Sequence, residues 1–191
     1  KELCLIPAPS HKEDLRAEFC KRWFDDNCGT GAYIDEAKNV VYPINAENSD
    51  RLTVIVAHTD TVFPDTEPMP YEERDGKIFC PGVGDDTANA VALLTVAGYI
   101  AEHHLSPKDC GVLLVINSGE EGLGNLKGSR KIMADFGHRV KEFVTFDGNG
   151  TQLFVNYIKW FLLTLITFGI YGFWLNIKLM KWKTKHTEFA D

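Results

Sequence analysis

Three apolar runs in the first 150 residues each lead into a cluster of acidic residues or histidine, and this pattern constrains the fold more than any other feature. The runs are rich in β-branched and aromatic residues, which is typical of buried strands. They are Leu52–Ala57, Gly111–Asn117 and Glu142–Phe146, and the clusters that follow them are Ala57–Thr61, Ser118–Gly122 and Phe146–Gly148. A fourth cluster, Gly82–Asp86, precedes a helical pattern. Because an open α/β sheet presents residues to a ligand at the carboxyl ends of its strands, we expect the clusters to meet at one edge.

Helical patterns alternate with these strands. Leu15, Phe19 and Trp23 recur at helical spacing, which predicts a helix from about His11 to Asp26. Ser10 is expected to be its N-cap residue, with Glu13 as the capping-box partner. Further helices are predicted from Ala88 to about His103 and from Asn125 to Phe136, and shorter strands over residues 39–44 and 77–80. The order predicts an α/β fold in three layers, a sheet flanked by helices.

Composition narrows the class of protein. The chain has 191 residues, 45% of them hydrophobic and 25% charged, which suffices for one good core. Its net charge of −7 argues against nucleic acid as a partner. The five cysteines are odd in number and lack C-x-x-C spacing, so we expect free thiols in a reducing cytoplasm. Because residues 1–18 hold no long apolar core, the sequence predicts a cytoplasmic protein.

The histidine cluster and the paired aspartates are candidates for metal chemistry. His58 and Asp60 point to the same side of an extended strand end, where the carboxylate can orient a metal-binding imidazole. Asp85 and Asp86 lie in a glycine-rich turn, and one carboxylate there can bridge two cations. Each feature also has an ordinary interpretation. His58 and Asp60 can be a surface pair, and Asp86 can cap the helix that starts at Thr87.

The remaining acidic clusters suit the same chemistry. Glu120 and Glu121 are adjacent, so in extended backbone they point different ways: one can bind a metal while the other acts as a general base. Asp147 ends the third strand and is a further candidate ligand. Taken singly, these residues are equally consistent with a solvated acidic turn and a turn aspartate. Occurring together at strand ends, they favour a site for a hard or borderline metal ion.

These motifs resemble the M20 family of zinc-dependent exopeptidases and amidohydrolases over about residues 1–156. The matching stretches, which occur in the family's order and spacing, are Ile6–Ser10, Ala57–Thr61, Pro81–Asp86, Ser118–Gly122 and Phe146–Gly148. The resemblance implies an α/β zinc-exopeptidase-like fold that hydrolyses peptide or N-acyl amide bonds. It also implies two zinc ions per site, with cobalt or manganese as substitutes.

The resemblance assigns a role to each candidate residue. The implied ligands are His58 and Asp147 for the first metal, Asp85 as the bridge, and Glu121 for the second metal. Glu120 is the implied general base and Asp60 the residue that orients the His58 ring. The peptide bond between Asp85 and Asp86 is expected to be cis.

The chain also departs from the family pattern. Thr87 follows the aspartate pair where the family has lysine or a similar residue. We find no match to the family's inserted lid domain, which carries its dimer contacts, or to its second ligand histidine. His103 and His104 end a helix and are expected at the surface, and His186 is a poor candidate for that ligand. We therefore expect a truncated catalytic domain with either one or two bound zinc ions and little or no activity. The oligomeric state is not determined by the sequence.

Composition changes beyond residue 156. Residues 160–177 form an uncharged aromatic stretch followed by lysines. This predicts a second region, 157–191, either a transmembrane segment or the product of a chimeric junction near Asn156; the junction is our preferred interpretation. Three functions follow as alternatives: an M20-type hydrolase, a non-catalytic metal-binding fragment, and a protein attached to a membrane through residues 160–177.

Overall fold

The computed structural model describes residues 1–63 and 69–148, which form an α/β fold. The strands of this part are β1 (Tyr33–Ile34), β2 (Val40–Ile44), β3 (Leu52–His58), β4 (Glu72–Arg74), β5 (Lys77–Phe79), β6 (Gly111–Asn117) and β7 (Val140–Thr145). The helices are α1 (Asp14–Cys28), α2 (Ala88–Glu102) and α3 (Lys127–Phe136). The predicted second region, 157–191, lies outside the described residues.

The main sheet has the strand order β1-β2-β6-β3-β7. β3 runs parallel to both β6 and β7, whereas β2 is antiparallel to β6. Helices connect the parallel strands, as such crossovers require. The carboxyl ends of β3, β6 and β7 therefore lie at one edge of the sheet, and this edge carries three of the four predicted clusters.

Both faces of the sheet are covered, which produces the three layers predicted from the sequence. On one face, Phe24 of α1 and Leu93 of α2 belong to a core with Leu114 and Ile116 of β6. On the other face, Ile132 of α3 packs in a second core that is supplied mainly by β3 and β6. Burying one such aliphatic or aromatic side chain stabilises the fold by about 1.5–3 kcal/mol. The central strands are thus held firmly, and with them the residues at their ends.

The start of α1 differs from the prediction. The helix begins at Asp14, three residues later than expected, and Glu13 is its N-cap residue without a side-chain capping bond. The Glu13 carboxylate instead accepts a hydrogen bond from the backbone N–H of His11 at 2.8 Å. The Ser10 hydroxyl donates to the carboxylate of Asp60 at 2.7 Å. The N-cap prediction for Ser10 was wrong, because a buried carboxylate distant in sequence is the partner of its hydroxyl.

Two strands were located by the sequence, but one of them differs from the prediction. β7 was expected to be a core strand over residues 142–146, but it covers Val140–Thr145 and, among the described residues, pairs only with β3. Its Phe143 side chain is consequently exposed. The predicted edge strand at residues 77–80 forms β5, which pairs with β4 in a separate two-stranded hairpin. Strand length and apolarity indicated where these strands lie, but not which strand borders another.

Candidate metal centre

Strand register brings the predicted clusters together. His58 is the last residue of β3 and lies opposite Asn117, the last residue of β6. The Thr59 N–H donates to the Asn117 carbonyl at 2.9 Å, which carries the pairing past the strand ends. On the other side, the Phe146 N–H donates to the Val56 carbonyl at 2.9 Å. Asp147 therefore emerges next to His58.

The His58 ring is buried and oriented by main-chain atoms. Its Nδ1 lies 3.0 Å from the main-chain carbonyl oxygen of Asp60, which can only accept a hydrogen bond, so Nδ1 carries a proton. The Nε2 atom lies 3.0 Å from Oδ1 of Asp85 and 3.8 Å from Oδ1 of Asp147. The backbone N–H of His58 donates to Oδ2 of Asp86 at 2.9 Å. The ring thus directs Nε2 at two carboxylates.

Electrostatics in the metal-free protein keep this imidazole protonated. Burial by itself lowers the pKa of His58, but Asp60, Asp86 and Glu120 outweigh that effect and raise the pKa to about 9. A proton therefore bridges Nε2 and the surrounding carboxylates at neutral pH. A metal cation can replace that proton, since it also satisfies the negative charge around the ring.

The two aspartates of the Asp85-Asp86 pair differ in their burial and in their contacts. Their peptide bond is cis, as the resemblance implied. The Asp85 carboxylate is 54% exposed and faces Nε2 of His58. Asp86 is fully buried, and its carboxylate contacts the His58 backbone N–H and the Asn89 side chain. Burial raises the pKa of Asp86 to about 7. Thr87, rather than Asp86, is the N-cap residue of α2, so the alternative interpretation of Asp86 as a helix cap is not observed.

A glycine permits the turn that presents Asp85. Gly82 has φ of +71°, a left-handed conformation that favours glycine. A Cβ atom at this position would collide with the methyl group of Thr61, in the loop after β3. The absence of a side chain therefore lets the turn approach the His58 loop closely.

The Asp60 carboxylate is fully buried and accepts several hydrogen bonds. The backbone N–H groups of Glu120 and Glu121 donate to its Oδ1 and Oδ2 atoms at 2.9 and 3.0 Å, and the Ser10 hydroxyl donates to Oδ2 at 2.7 Å. Its carboxylate is 3.5 Å from Nδ1 of His58. Burial raises the pKa of Asp60, but these donors outweigh burial and the net pKa is lowered. Asp60 thus also holds the turn that carries Glu120 and Glu121, a role that the sequence did not predict.

Two groups of potential ligand atoms share His58. One contains His58, Asp85 and Asp147, the other His58, Glu120 and Glu121, and within each group the ligand atoms lie within 4.8 Å of one another. Burial, opposed in part by His58, raises the pKa of Glu120, Glu121 and Asp147. The structure therefore brings all six predicted site residues to one place.

The other singled-out residues lie elsewhere or contribute differently. His103 and His104 are exposed, as expected, and His186 lies outside the described residues. Thr87 is buried, and its hydroxyl accepts a hydrogen bond from the Arg16 guanidinium at 3.0 Å. The five cysteines are unpaired, as the sequence predicted. Asp86 and Ser10 are the residues of the site whose contacts sequence reasoning missed; their positions within two matching motifs were the available signal.

Comparison with known proteins shows the family to which the chain belongs. The family description of peptidase family M20/M25/M40 matches residues 54–158, more than half of the chain. The chain belongs to this family. The resemblance inferred from the motifs is thereby confirmed. No curated protein sequence matches the chain.

Solved structures show the same fold. The aminopeptidase PepT from Bacillus cereus aligns with a TM-score of 0.57 and 18% identity, over 78% of this chain and 42% of its own. A tripeptidase from Staphylococcus aureus aligns with a TM-score of 0.51 and 27% identity, over 66% and 37%. An M20 family metallo-carboxypeptidase from Sulfolobus solfataricus aligns with a TM-score of 0.54 and 16% identity, over 75% of this chain and 35% of its own. The chain thus spans less than half the length of each of these three proteins.

The membrane prediction concerns residues 160–177, which lie outside the described part of the chain. Over residues 1–63 and 69–148, no helix is both long and apolar enough to cross a membrane.

Proposed function

We propose that this chain carries the metal centre of a zinc-dependent hydrolase that cleaves peptide or N-acyl amide bonds. The observation that supports this most strongly is the convergence of His58 Nε2 with the carboxylates of Asp85 and Asp147 within 4.8 Å, beside the paired glutamates. These residues come from separate loops of the sheet edge.

The donor set fits a divalent cation. The carbonyl of Asp60 accepts from Nδ1 of His58, so the neutral ring has its lone pair on Nε2. Carboxylates that raise one another's pKa gain from a cation between them. Zinc binds both imidazole nitrogen and carboxylate oxygen, whereas magnesium and calcium prefer oxygen alone. Zinc is therefore our proposed metal, with cobalt or manganese as substitutes of similar ligand preference.

Roles follow from position. We propose His58 and Asp147 as ligands of the first metal and Asp85 as the bridge to a second. Glu121 would complete the second position from the described residues. Glu120 is then left free to act as the general base, and its raised pKa brings it closer to neutral pH, where a base works best.

The bound metal would supply Lewis acidity, which polarises a carbonyl and acidifies water. The chain's own residues would do the rest. Glu120 takes a proton from the attacking water and returns it to the leaving amine. Asp60 keeps the proton of the His58 ring on Nδ1 through its main-chain carbonyl, and keeps Glu120 in place through its carboxylate.

A second candidate is metal binding without turnover. Asp85 and Glu121 are the ligands that residues 1–63 and 69–148 offer to a second metal, fewer than the three protein ligands usual for catalytic zinc. Peptides and N-acyl amino acids are the proposed substrates, and residues 1–156 the proposed catalytic region.

A paired measurement separates the two candidates. Zinc content per chain should be at least one after dialysis, and hydrolysis should be tested on dipeptides, tripeptides and N-acyl amino acids. The Glu120→Gln variant should retain zinc but lose chelator-sensitive turnover. Zinc bound without turnover in both proteins would favour the non-catalytic function, and a chain that binds no zinc would contradict both.

A further inference from the structure

The segment of residues 8–11, here called the N-terminal strap, links two loops of the metal centre. The Thr61 N–H donates to the Ala8 carbonyl at 2.8 Å, and Pro9 pairs with Thr61 in a parallel bridge. Further along the strap, the Ser10 hydroxyl contacts both Asp60 and Glu121. The strap thus contacts the loop that follows His58 and the turn that carries the paired glutamates.

Ser10 has one hydroxyl proton and two acceptors within reach. Its Oγ lies 2.7 Å from Oδ2 of Asp60 and 3.1 Å from the Glu121 carbonyl oxygen. Because the acceptor on Asp60 is charged and nearer, the proton goes mainly to Asp60. The same Oδ2 atom accepts the backbone N–H of Glu121 at 3.0 Å. Ser10 therefore fixes the very oxygen atom that holds Glu121.

We propose that Ser10 is a positioning residue for the Glu121 side of the metal centre, acting through Oδ2 of Asp60. The inference rests on the proposed function in one respect, namely that Glu121 binds a metal. Ser10 itself touches neither metal nor substrate in this scheme. It limits the freedom of the turn from which the Glu121 side chain projects.

The first metal position, at Nε2 of His58, does not depend on the Ser10 hydroxyl. Nδ1 of His58 lies 3.0 Å from the main-chain carbonyl oxygen of Asp60 but 3.5 Å from its carboxylate. The orientation of the ring therefore depends on the main chain of Asp60, whose two neighbours are held by backbone hydrogen bonds from Thr59 to Asn117 and from Thr61 to Ala8. Loss of the Ser10 hydroxyl disturbs the carboxylate and leaves that main-chain contact in place.

Removal of the Ser10 hydroxyl should consequently weaken binding of the second zinc while leaving binding of the first zinc nearly unchanged. In the Ser10→Ala protein, the second zinc is expected to bind about tenfold more weakly, the size usual for loss of an outer-shell partner. The first zinc should bind within about twofold of its original affinity, since its ligands are untouched. Ser10→Thr, which keeps a hydroxyl, should restore the second affinity, whereas Ser10→Val, of similar shape but without a hydroxyl, should not.

The experiment uses the full chain, stripped of metal and titrated with zinc against a chromophoric chelator. Cobalt absorption provides a second reading of each position. Ser106→Ala is the matched control, because Ser106 is exposed and its hydroxyl lies 3.5 Å from the Pro107 carbonyl. That variant should match the original protein in both affinities. If Ser10→Ala fails to fold, the Thr and Val pair gives the same comparison.

Several results would overturn the inference. They are an unchanged second affinity in Ser10→Ala and Ser10→Val, or an equal loss at both metal positions. An original chain that binds a single zinc would also overturn it, while leaving the proposed function standing with one metal. An original chain that binds no zinc would contradict the proposed function as well, so the two failures are distinguishable.

Discussion

The two sides of the metal centre differ in how the protein holds them. On the histidine side, the side chains of His58 and Asp60 are 2% and 0% exposed. The Asp60 main-chain carbonyl accepts from Nδ1 of His58, while two backbone N–H groups and the half-buried Ser10 hydroxyl donate to the Asp60 carboxylate. On the acidic side, Asp85 and Asp147 are 54% and 43% exposed and lie among like charges. The first side is formed before any metal arrives, whereas the second has only the protonated His58 ring as a cationic partner until a metal replaces that proton.

Strand position accounts for part of this difference. His58 ends β3, which is paired on both sides by β6 and β7. Asp147 follows β7, which within the described residues is paired on one side. A central strand transmits the stability of the core to its end, while an edge strand has fewer contacts with which to do so. The comparison predicts that mutations on the histidine side change zinc affinity or unfolding free energy strongly, whereas mutations on the acidic side change unfolding free energy little.

The largest effect is expected from His58→Gln. Structural zinc sites with four ligands bind with about 10–16 kcal/mol, so one ligand is worth about 3 kcal/mol, or roughly a hundredfold in affinity. Chelator competition would measure the loss. His103→Gln, an exposed histidine beyond the end of α2, should leave zinc affinity unchanged. Equal affinities in His58→Gln and the original protein would mean that the metal does not bind at this ring.

Asp60→Asn should come next, and should act on folding. An asparagine amide offers one acceptor oxygen where the carboxylate offered two, and its NH₂ group would face N–H donors. A buried donor left without a partner costs about 1–3 kcal/mol, so we expect unfolding free energy to fall by about 2 kcal/mol. Urea denaturation of the metal-free protein would measure it. A loss below about 0.5 kcal/mol would show that the buried side is less constrained than its contacts indicate.

Lowering the pH should weaken metal binding at the His58 ring in steps of up to about tenfold. The pKa of His58 is raised from 6.5 to about 9 in the metal-free protein, so below pH 9 a metal must displace a proton from the ring. Zinc affinity should therefore fall by up to about tenfold for each pH unit between 9 and 7. Titrations in buffers of different ionisation enthalpy would count the released proton. A flat affinity over this range would place the ring pKa well below 7.

The smallest change in folding should come from Asp147→Asn. Its carboxylate is partly exposed, and its pKa is raised by burial and by Asp85, so the ionised form does not stabilise the metal-free fold at neutral pH. We expect unfolding free energy to change by less than about 0.5 kcal/mol, in the stabilising direction. Urea denaturation of the metal-free Asp147→Asn and Asp60→Asn proteins side by side would compare their unfolding free energies. A loss as large as that of Asp60→Asn would remove the distinction between the two sides.

Much of the fold could be predicted from local pattern. The strand Gly111–Asn117 was predicted with its observed bounds, and β3 and α2 to within about one residue, because apolar runs and helical periodicity act over short distances. The clusters were expected at one edge since parallel strands align their carboxyl ends. Their roles also came from the resemblance to the M20 family, whose membership the comparison confirms.

Ser10 and Asp86 show where local pattern fails. Both are residue types that cap helices; Ser10 was predicted to be a cap, and capping was one of the alternatives for Asp86. Ser10 instead donates to a carboxylate 50 positions away, and Asp86 accepts from the His58 N–H, 28 positions away. A capping bond and a tertiary bond compete for the same atoms, and the outcome depends on neighbours that only folding supplies.

The sequence by itself determined the order of strands and helices and the chemical identity of the candidate ligand atoms, because both follow from residues close together along the chain. The tertiary structure decided which atoms of those residues face one another. It placed Nε2 of His58 toward the acids, buried Asp60 beneath the glutamate turn, and left Asp85 and Asp147 open to solvent. These outcomes depend on strand register and on competition among donors and acceptors distant in sequence, which short-range patterns do not encode.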